Sequence, residues 1–279
     1  MDKVWLVTGA TSGFGRAFTE AAVALGDIVV AAARHTAALD DLVTAHPGQV
    51  EAVELDVTDL AAGQEVVDGV VARHGRIDVL VNNAGRTHVG AVEETTDKDL
   101  RSLFDVHFFG PAGLVRAALP HMRARRSGAI VQLSSMGGQM SFAGFSAYSA
   151  TKFALEGLSE ALAGEVGPLG IKVLIVEPGS FRTNLFGNAS SSGAPETHID
   201  DYKATVGATR AAVAGGDGGQ PGDPAKAVAA VIAALEAENT PLRLPLGSDG
   251  VDAVLGHLDA VRADIAAWEN VARATTFDE

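Results

Sequence analysis

Short apolar runs alternate with longer segments of helical periodicity along the first two thirds of the chain. The apolar runs span four to six residues and are rich in Val, Ile, Leu and Ala, which is typical of strands that are buried on both faces. They predict six strands, at residues 4–7, 28–32, 50–55, 77–81, 129–133 and 172–176.

Helical segments separate these strands, so the chain repeats a strand–helix–strand unit. The helical periodicity covers residues 15–25, 36–44, 60–74, 97–125 and 147–166. Because each crossover should be right-handed, the pattern predicts an α/β fold, a doubly wound parallel sheet with helices on both faces. Pro111 lies inside the fourth helical segment and should kink or restart that helix, because proline has no backbone N–H to donate.

The composition changes after residue 184. Residues 184–224 are rich in Ser and Gly, and this pattern predicts either a flexible surface insertion or a mobile lid on the substrate side. Helical patterns return at 224–238 and 251–271, and residues 241–245, with Pro at both ends, predict a short edge strand. No internal repeat is found, and residues 1–279 are predicted to form a single domain.

The charge and the missing cysteines exclude several classes of function. The formal net charge is -14, which disfavours nucleic-acid binding because phosphates repel an acidic protein. With no cysteine, disulfides and thiolate chemistry are excluded, and no metal site is predicted. The N-terminus has no signal-peptide pattern and no apolar stretch has the length of a membrane span, so we expect a cytoplasmic protein with no membrane partner.

A glycine-rich turn joins the first strand to the first helix. Residues 8–15 read TGATSGFG. Glycine has no Cβ, so the backbone can approach a pyrophosphate closely, and the N–H groups at the helix N-terminus point toward it. The turn therefore predicts a dinucleotide site formed by Gly9, Thr11, Ser12, Gly13, Phe14 and Gly15.

The spacing T-G-x-x-x-G-x-G resembles the signature of the short-chain dehydrogenase/reductase superfamily. Further motifs of that family follow in order, at the ends of later strands, up to about residue 184. The resemblance implies a Rossmann-type fold, with Asp56 near the adenine, residues 82–85 along the cofactor and Thr183 on the nicotinamide carboxamide. The cofactor residues that it implies are Asp56, Val57, Asn83, Ala84, Gly85, Pro178, Gly179 and Thr183.

The end of the second strand indicates which dinucleotide binds. An NAD-selective site has an acidic residue there, which accepts hydrogen bonds from the ribose hydroxyls. This chain has Arg34 instead, followed by His35. A guanidinium forms strong charge-assisted hydrogen bonds with phosphate, so Arg34 predicts a preference for NADP(H), with NAD still allowed. The alternative is that Arg34 is an ordinary solvated side chain.

Tyr148 and Lys152 are four residues apart, so they share one face if this segment is helical. Tyrosine has an ordinary pKa of about 10, and a neighbouring ammonium together with a nicotinamide cation should lower it. The pair would then exchange a proton with an alcohol oxygen. From these two residues alone, a helical pair without a role is the alternative.

Ser135 lies thirteen residues before Tyr148, at the end of the fifth strand. The three residues match the family's Ser–Tyr–Lys arrangement, in which the serine hydroxyl holds the substrate oxygen and Tyr148 and Lys152 also contact the cofactor. The resemblance implies an NADP(H)-dependent oxidoreductase. It would interconvert a hydrophobic secondary alcohol and a ketone by hydride transfer, with Tyr148 as the general acid/base.

His107 is the one departure from the family pattern. The family usually has an Asn at this place, twenty-eight residues before the catalytic Ser, where it helps to hold a water that connects Lys to solvent. An imidazole also donates and accepts hydrogen bonds and titrates near neutral pH. We therefore predict that His107 keeps the relay and adds a pH dependence; the alternative is that it only packs.

The substrate pocket is predicted from the side chains between Ser135 and Tyr148 and just after Gly179. They are mostly apolar, which favours a small-molecule ketone or alcohol that is hydrophobic and of medium to large size. Residues 153–157 and 181–183 resemble the branch that contains hydroxysteroid and retinol dehydrogenases. The predicted pocket residues are Met136, Gln139, Met140, Phe142, Phe145, Phe181, Leu185 and Phe186.

A different class of function stays open. The same fold can bind NADP(H) as a redox-sensing or regulatory module without turnover, although a pure binder has no need of Ser135, Tyr148 and Lys152. The family resemblance also implies a homodimer or homotetramer. Its subunits would be joined through the helical segments 97–125 and 147–166.

Overall fold

A parallel sheet lies at the centre of the protein, in a computed structural model that describes residues 2–185, 198–216 and 218–277. Among these residues the strands are β1 (Val4–Thr8), β2 (Ile28–Ala33), β3 (Val50–Glu54), β4 (Val79–Asn82), β5 (Gly128–Leu133), β6 (Ile171–Pro178) and β7 (Arg243–Leu246). Their order is β3-β2-β1-β4-β5-β6-β7, and all neighbouring pairs are parallel.

Helices pack on both faces of this sheet. Within the described ranges the α-helices are α1 (Gly13–Ala24), α2 (Asp40–Ala45), α3 (Leu60–His74), α4 (Asp97–Phe104), α5 (Gly110–Arg125), α6 (Ser146–Val166), α7 (Ala208–Gly215), α8 (Pro224–Glu236) and α9 (Ser248–Arg273). The predicted doubly wound α/β fold is therefore confirmed. None of the helices in the part of the chain that is described is both long and apolar enough to span a bilayer.

Two apolar cores sandwich the sheet, as the alternation of side chains along β1 illustrates. Trp5 and Val7 belong to one core, with side chains from α1, α2 and α8. Val4 and Leu6 belong to the other core, with side chains from α3, α5 and α6. Successive side chains of a strand point to opposite faces, so a strand with helices on both sides is apolar throughout.

Side-chain caps fix the start of several helices. The carboxylate of Asp59 accepts hydrogen bonds from the first N–H groups of α3 at 3.0 Å, and the hydroxyl of Thr96 accepts one from Asp99 N–H in α4 at 3.1 Å. Asp223 accepts from Ala225 N–H at 2.9 Å, with Pro224 as the first residue of α8. The predicted start of this helix at residue 224 is confirmed.

The long helical segment predicted at 97–125 is interrupted, as Pro111 indicated. α4 ends at Phe104, a π-helical turn covers Asp105–Phe109, and α5 begins at Gly110. Because Pro111 has no N–H, the hydrogen bond that would continue the α-helical ladder through this point is missing. The turn places His107 in the protein interior, with 1% of its surface exposed.

The structure also describes the edge strand and part of the segment before α8. The predicted edge strand at 241–245 is β7, in which Pro245 lies opposite Glu177 of β6. Of the segment predicted as a lid, residues 186–197 and 217 lie outside the described residues, and Phe186 is among them. The described part after residue 197 is largely helical, and Arg210 of α7 forms an ion pair with the buried Glu94. Its role as a lid stays a prediction.

The chain order places a crevice at one edge of the sheet. After β3 the chain returns to the other side of β1 to form β4, so the connections after β1 and β4 diverge to opposite faces. Open α/β sheets bind their ligands at this switch point, at the carboxyl ends of the strands. A ligand site is therefore expected beside the ends of β1 and β4.

Candidate active site

A cleft of about 580 Å³ lies at the carboxyl ends of the central strands, within the usual size range of small-molecule sites. Every residue predicted for the cofactor or for catalysis, apart from Gly15, lines this cleft. These lining residues are Gly9, Thr11, Ser12, Gly13, Phe14, Arg34, Asp56, Val57, Asn83, Ala84, Gly85, His107, Ser135, Tyr148, Lys152, Pro178, Gly179 and Thr183.

Gly9 and Gly15 make the turn after β1 compact. A Cβ on Gly9, whose φ is +65°, would lie 2.9 Å from the Cα of Ala84. A Cβ on Gly15 would lie 2.2 Å from the carbonyl oxygen of Gly9. Gly15 does not line the cleft, and its predicted cofactor contact stays a prediction. It is needed for packing inside the turn, because any larger side chain would push the turn away from α1.

The end of β4 braces the same turn through hydrogen bonds. The hydroxyl of Thr8 accepts from the N–H groups of Asn83 and Ala84, at 2.9 and 3.1 Å. The side-chain amide of Asn83 donates to the carbonyls of Thr8 and Gly9, at 2.9 and 3.2 Å. These bonds fix the backbone of the turn, which is the part that would approach a pyrophosphate. Thr8, the first residue of the glycine-rich motif, was not among the predicted site residues.

The N-terminus of α1 is suited to an anion. Ser12, the N-cap residue, has an extended backbone, makes no capping hydrogen bond with its side chain, and no acidic residue lies in the first turn of α1. The positive end of the helix dipole and the N–H groups of the first turn therefore face the cleft beside Gly13. A dinucleotide pyrophosphate fits these groups.

Cationic side chains also line the cleft. Arg34 follows β2 and lines the cleft together with Arg86. The backbone N–H of Thr58, and more weakly the charge of Arg34, lower the pKa of the Asp56 carboxyl. Burial, helped by the charge of Arg34, lowers the pKa of Arg86. Arg86 was missed in the sequence, although it directly follows the residues 82–85 that were singled out.

Ser135, Tyr148 and Lys152 meet as predicted. Tyr148 and Lys152 lie one turn apart on α6, and both are buried. The Lys152 Nζ atom lies 5.6 Å from the centroid of the Tyr148 ring and donates a 2.7 Å hydrogen bond to the carbonyl oxygen of Leu133. The Ser135 hydroxyl lies close enough to the Tyr148 phenol to act on its pKa.

The direction of the Tyr148 pKa differs from the sequence prediction. Burial raises the pKa of Tyr148 to about 12, and only its hydrogen bond with Ser135 acts in the opposite direction. Burial also lowers the pKa of Lys152 to about 8, against the charge of Glu156, which raises it. Desolvation disfavours the charged form of both groups and outweighs the effect expected from the ammonium, whereas the lowering expected with a bound nicotinamide cation stays a prediction.

Both ring nitrogens of His107 are already engaged. The Nε2 atom accepts a 3.1 Å hydrogen bond from Arg86 N–H, so the proton lies on Nδ1, which is 2.9 Å from the hydroxyl of Thr151. Burial, and then the charges of Lys152 and Arg86, lower the pKa of His107 well below its usual value. The predicted titration near neutral pH was wrong, and the ring joins the β4 loop to α6. The relay stays a prediction, and it requires one of these two bonds to break.

A buried pair of carboxyl groups lies behind Lys152. Glu177, at the end of β6, and Glu156, one turn after Lys152 on α6, lie close enough that the Glu156 carboxyl raises the pKa of Glu177. Arg243 donates to Glu156 at 2.9 Å, and Gln139 donates to Glu177 at 2.7 Å. Burial raises the pKa of Glu177 to about 7, and Glu156 adds to this effect. Nothing in the sequence pattern signalled this pair.

The predicted substrate residues lie in different surroundings. Gln139 turns away to Glu177, and the Phe181 ring packs 5.2 Å from the Phe14 ring, next to the core. Phe181 and Leu185 line the cleft, and the Phe145 ring lies 6.0 Å from the Tyr148 ring. The predicted role of Gln139 in the pocket is therefore corrected. For Met136, Met140 and Phe142 the pocket role stays a prediction.

The segment after β6 is held against the glycine-rich turn. The N–H of Gly179 donates to Leu246 carbonyl at 2.9 Å, and the N–H of Ser180 donates to the Asp249 carboxylate at 2.7 Å. A Cβ on Gly13 would lie 3.1 Å from the side chain of Thr183. Thr183 is thereby placed beside the cleft. Across the described ranges, no group of three or more His, Asp or Glu side chains is arranged to hold a metal.

Comparisons with known proteins agree with this architecture. The family model described as short chain dehydrogenase matches residues 3–193. The oxidoreductase BOA17 of Botryotinia fuckeliana is 37% identical over 279 residues, which cover 99% of this chain and 100% of that protein. The 3-ketodihydrosphingosine reductase of Bacteroides thetaiotaomicron is 37% identical over 203 residues, 72% of this chain and 73% of that protein.

Solved structures give the same result. A short-chain dehydrogenase from Streptomyces avermitilis has a TM-score of 0.92 and 62% identity, over 99% of this chain and 98% of that one. A metagenomic short-chain oxidoreductase in complex with NADP has a TM-score of 0.61 and 35% identity, over 64% of this chain and 83% of that one. A Burkholderia phymatum relative in complex with NAD has a TM-score of 0.78 and 25% identity, over 100% of this chain and 98% of that one. The chain therefore belongs to the short-chain dehydrogenase family and is an oxidoreductase.

Proposed function

We propose that this oxidoreductase is NADP(H)-dependent and interconverts a hydrophobic ketone and its secondary alcohol. One observation carries the proposal: Ser135, Tyr148 and Lys152 meet in the same cleft that has Arg34 beyond the end of β2. The hydroxyl pair provides a proton donor for a substrate oxygen, and Arg34 provides a cation for a phosphate. Both functions are needed for reduction of a ketone with NADPH.

The chain's own groups fit the dinucleotide along the whole cleft. The glycine-rich turn and the N-terminus of α1 would hold the pyrophosphate, and Arg34 would hold the 2′-phosphate of NADP. Thr183 would hold the carboxamide of the nicotinamide. When bound, the cofactor supplies the hydride. The metagenomic relative in complex with NADP supports this preference, and the relative in complex with NAD keeps NAD as the second cofactor.

The protein contributes a proton and its placement. The Ser135 hydroxyl would orient the substrate oxygen, and Tyr148, whose pKa is raised to about 12, would keep its proton until it donates it to that oxygen. The ammonium of Lys152 would stabilise the resulting tyrosinate. A protonated phenol is the form that ketone reduction needs.

The substrate is proposed to be a hydrophobic ketone. Phe145 beside Tyr148, and Phe181 and Leu185 at the cleft, offer apolar surface near the proton donor. The relative named 3-ketodihydrosphingosine reductase is consistent with a ketone that carries an apolar chain. His107 enters the proposal as a positioning residue. Its two bonds hold the β4 loop and α6 at a fixed spacing.

The test is NADPH and NADH oxidation, measured separately against a panel of apolar ketones. We expect turnover with NADPH to exceed turnover with NADH, and long-chain or ring ketones to exceed short polar ones. Turnover with NADH alone would retain the enzyme and reject the role of Arg34. Tight NADPH binding without turnover of any ketone would instead support the redox-sensing module.

A further inference from the structure

Helix α9 leaves most of its length outside the body of the protein. It has 26 residues, or about 39 Å at 1.5 Å per residue, and only Gly250 and Val254 are buried. Its first turns pack near β7 and the turn Met136–Gly138. Beyond Val254 the helix has little of the tertiary packing that stabilises most protein helices in water.

The exposed part of α9 carries a continuous apolar stripe. Ile265 and Trp268 are 65% and 67% exposed, which is unusual for side chains of this size. Apolar residues recur at alternating spacings of three and four, the a and d positions of a heptad. Beyond the buried Val254, the stripe consists of Leu258, Val261, Ile265, Trp268 and Ala272, widened by the exposed Leu255 and Val271.

We propose that α9 pairs in antiparallel orientation with α9 of a second copy of this chain. The charges beside the stripe favour this orientation. A parallel pair would place Asp264 against Glu269 of the partner subunit, two like charges at the flanking g and e positions. An antiparallel pair that stacks Ile265 on Trp268 of the partner subunit places Arg262 next to Glu269 of the partner subunit, and two-fold symmetry repeats the contact.

A membrane surface fits the same stripe less well. Helices that lie on membranes carry Lys and Arg on the polar face, because lipid headgroups are anionic. The polar face of α9 carries Asp252, Asp259, Asp264 and Glu269 against only Arg262 and Arg273. The acidic residues would repel such a surface, whereas a second α9 offers both an apolar stripe and complementary charges.

The pairing would add an interface distinct from the faces of α5 and α6. The antiparallel helix pair is closed by its own two-fold axis, so it joins two copies and no more. Combined with a second two-fold contact through other helices, it produces a tetramer. Without such a contact it produces a dimer.

The first experiment measures the mass of the assembly by analytical ultracentrifugation of the full chain. In the double variant Ile265→Lys with Trp268→Lys, we expect the mass to fall by half relative to the parent chain. The matched control is Ala263→Lys with Asn270→Lys, which places two lysines on the outer face of the same helix and should leave the mass unchanged. Circular dichroism verifies that both variants retain their helices.

The second experiment tests the orientation by exchanging charges. Arg262→Glu should weaken association at least about tenfold, because both symmetry-related attractions become repulsions. Adding Glu269→Arg should restore it to within about threefold. A parent chain that is monomeric at micromolar concentration, or an unchanged mass in the Ile265→Lys, Trp268→Lys variant, would overturn the proposal. So would binding of the parent chain to phosphatidylserine vesicles as a monomer.

Discussion

Desolvation controls the protonation of Tyr148 and Lys152 more strongly than their mutual attraction does. Burial raises the pKa of Tyr148 to about 12 and lowers the pKa of Lys152 to about 8. The phenol is therefore protonated throughout the neutral range, and the ammonium is the group that titrates near it. A site of this kind holds the phenol in its protonated form, and positive charge bound nearby favours formation of the tyrosinate.

The first prediction is a loss of ketone reduction in alkali. The kcat/KM for reduction should fall as the pH rises through about 8, because Lys152 loses the charge that stabilises the tyrosinate. Stopped-flow measurement of NADPH oxidation between pH 6 and 10 provides the profile, after controls for enzyme stability. A profile that stays flat through pH 9 would contradict the assignment of this titration to Lys152.

The second prediction concerns Arg34. Arg34→Ala should weaken NADPH binding by about 10- to 100-fold and change NADH binding by less than about twofold, because it removes a charge-assisted hydrogen bond. His35→Ala, next to it and also exposed, is the matched control. Fluorescence titration of both nucleotides gives the ratio. Equal losses for the two nucleotides would show that Arg34 does not act on the 2′-phosphate.

At this scale the sequence predicted residues whose spacing repeats a motif and missed those that depend on tertiary contact. Tyr148 and Lys152 were predicted from their resemblance, with Ser135, to the family's Ser–Tyr–Lys arrangement, and the cleft contains both. Gln139 was expected in the pocket and instead donates to Glu177. The sequence separation of 38 residues between the two leaves no local signal.

At the scale of elements, short connections between helices and strands hold the site in place. The π-helical turn Asp105–Phe109 aims His107 between the loop after β4 and α6, so it spaces the two segments that carry the cofactor and catalytic residues. π-helical turns are often found at functional sites. The interruption at Pro111 was predictable, whereas its π geometry and the direction of His107 depend on packing.

The third prediction separates the two roles of His107. His107→Phe should lower the free energy of unfolding by about 1–3 kcal/mol, because it leaves the Arg86 N–H and the Thr151 hydroxyl without this partner. We expect the pH profile of reduction to keep its midpoint, because the imidazole is neutral at the pH of the assay. Urea unfolding and the pH profile are the measurements, with His107→Asn as the comparison. A shifted midpoint of the pH profile in the Phe variant would contradict this expectation and support the relay role of His107.

The fourth prediction concerns the carboxyl pair that joins α6, β6 and β7. Because burial raises the pKa of Glu177 to about 7, its stabilising protonated form is complete below pH 4.5 and is lost as the pH rises through 7. In the parent chain the free energy of unfolding should therefore fall by roughly 2–3 kcal/mol between pH 5 and 8.5, and in the Glu177→Gln variant this fall should be absent. Urea unfolding at both pH values tests this, with the exposed Glu160→Gln as the control. Equal pH dependence in parent and variant would contradict it.

For the whole molecule, the order of strands decides where chemistry occurs. The reversal between β1 and β4 opens the crevice, and the ends of β1 to β6 bring residues from many motifs to it. The alternation of strands and helices predicted this arrangement, because right-handed strand–helix–strand units restrict the possible topologies of the sheet. The projection of α9 was not predictable, since its helical periodicity says nothing about what covers its apolar stripe.

The fifth prediction is that the nucleotide stabilises the folded protein. NADPH at 100 times its Kd should add about 2.7 kcal/mol to the free energy of unfolding and raise the Tm by several degrees. NADH at the same concentration should raise it less. Differential scanning calorimetry gives both values. Equal shifts would mean that the cleft does not distinguish the two nucleotides.

Ketone reduction by Tyr148→Phe, measured beside its affinity for NADPH, is the most direct test of the central claim. We expect kcat to fall by about 100- to 10,000-fold, because the phenol proton is lost, while the Kd for NADPH stays within about threefold. Ala263→Lys, on the outer face of α9, is the control variant and should keep the turnover of the parent chain. Turnover that stays within tenfold of the parent chain would show that Tyr148 is not the proton donor in this cleft.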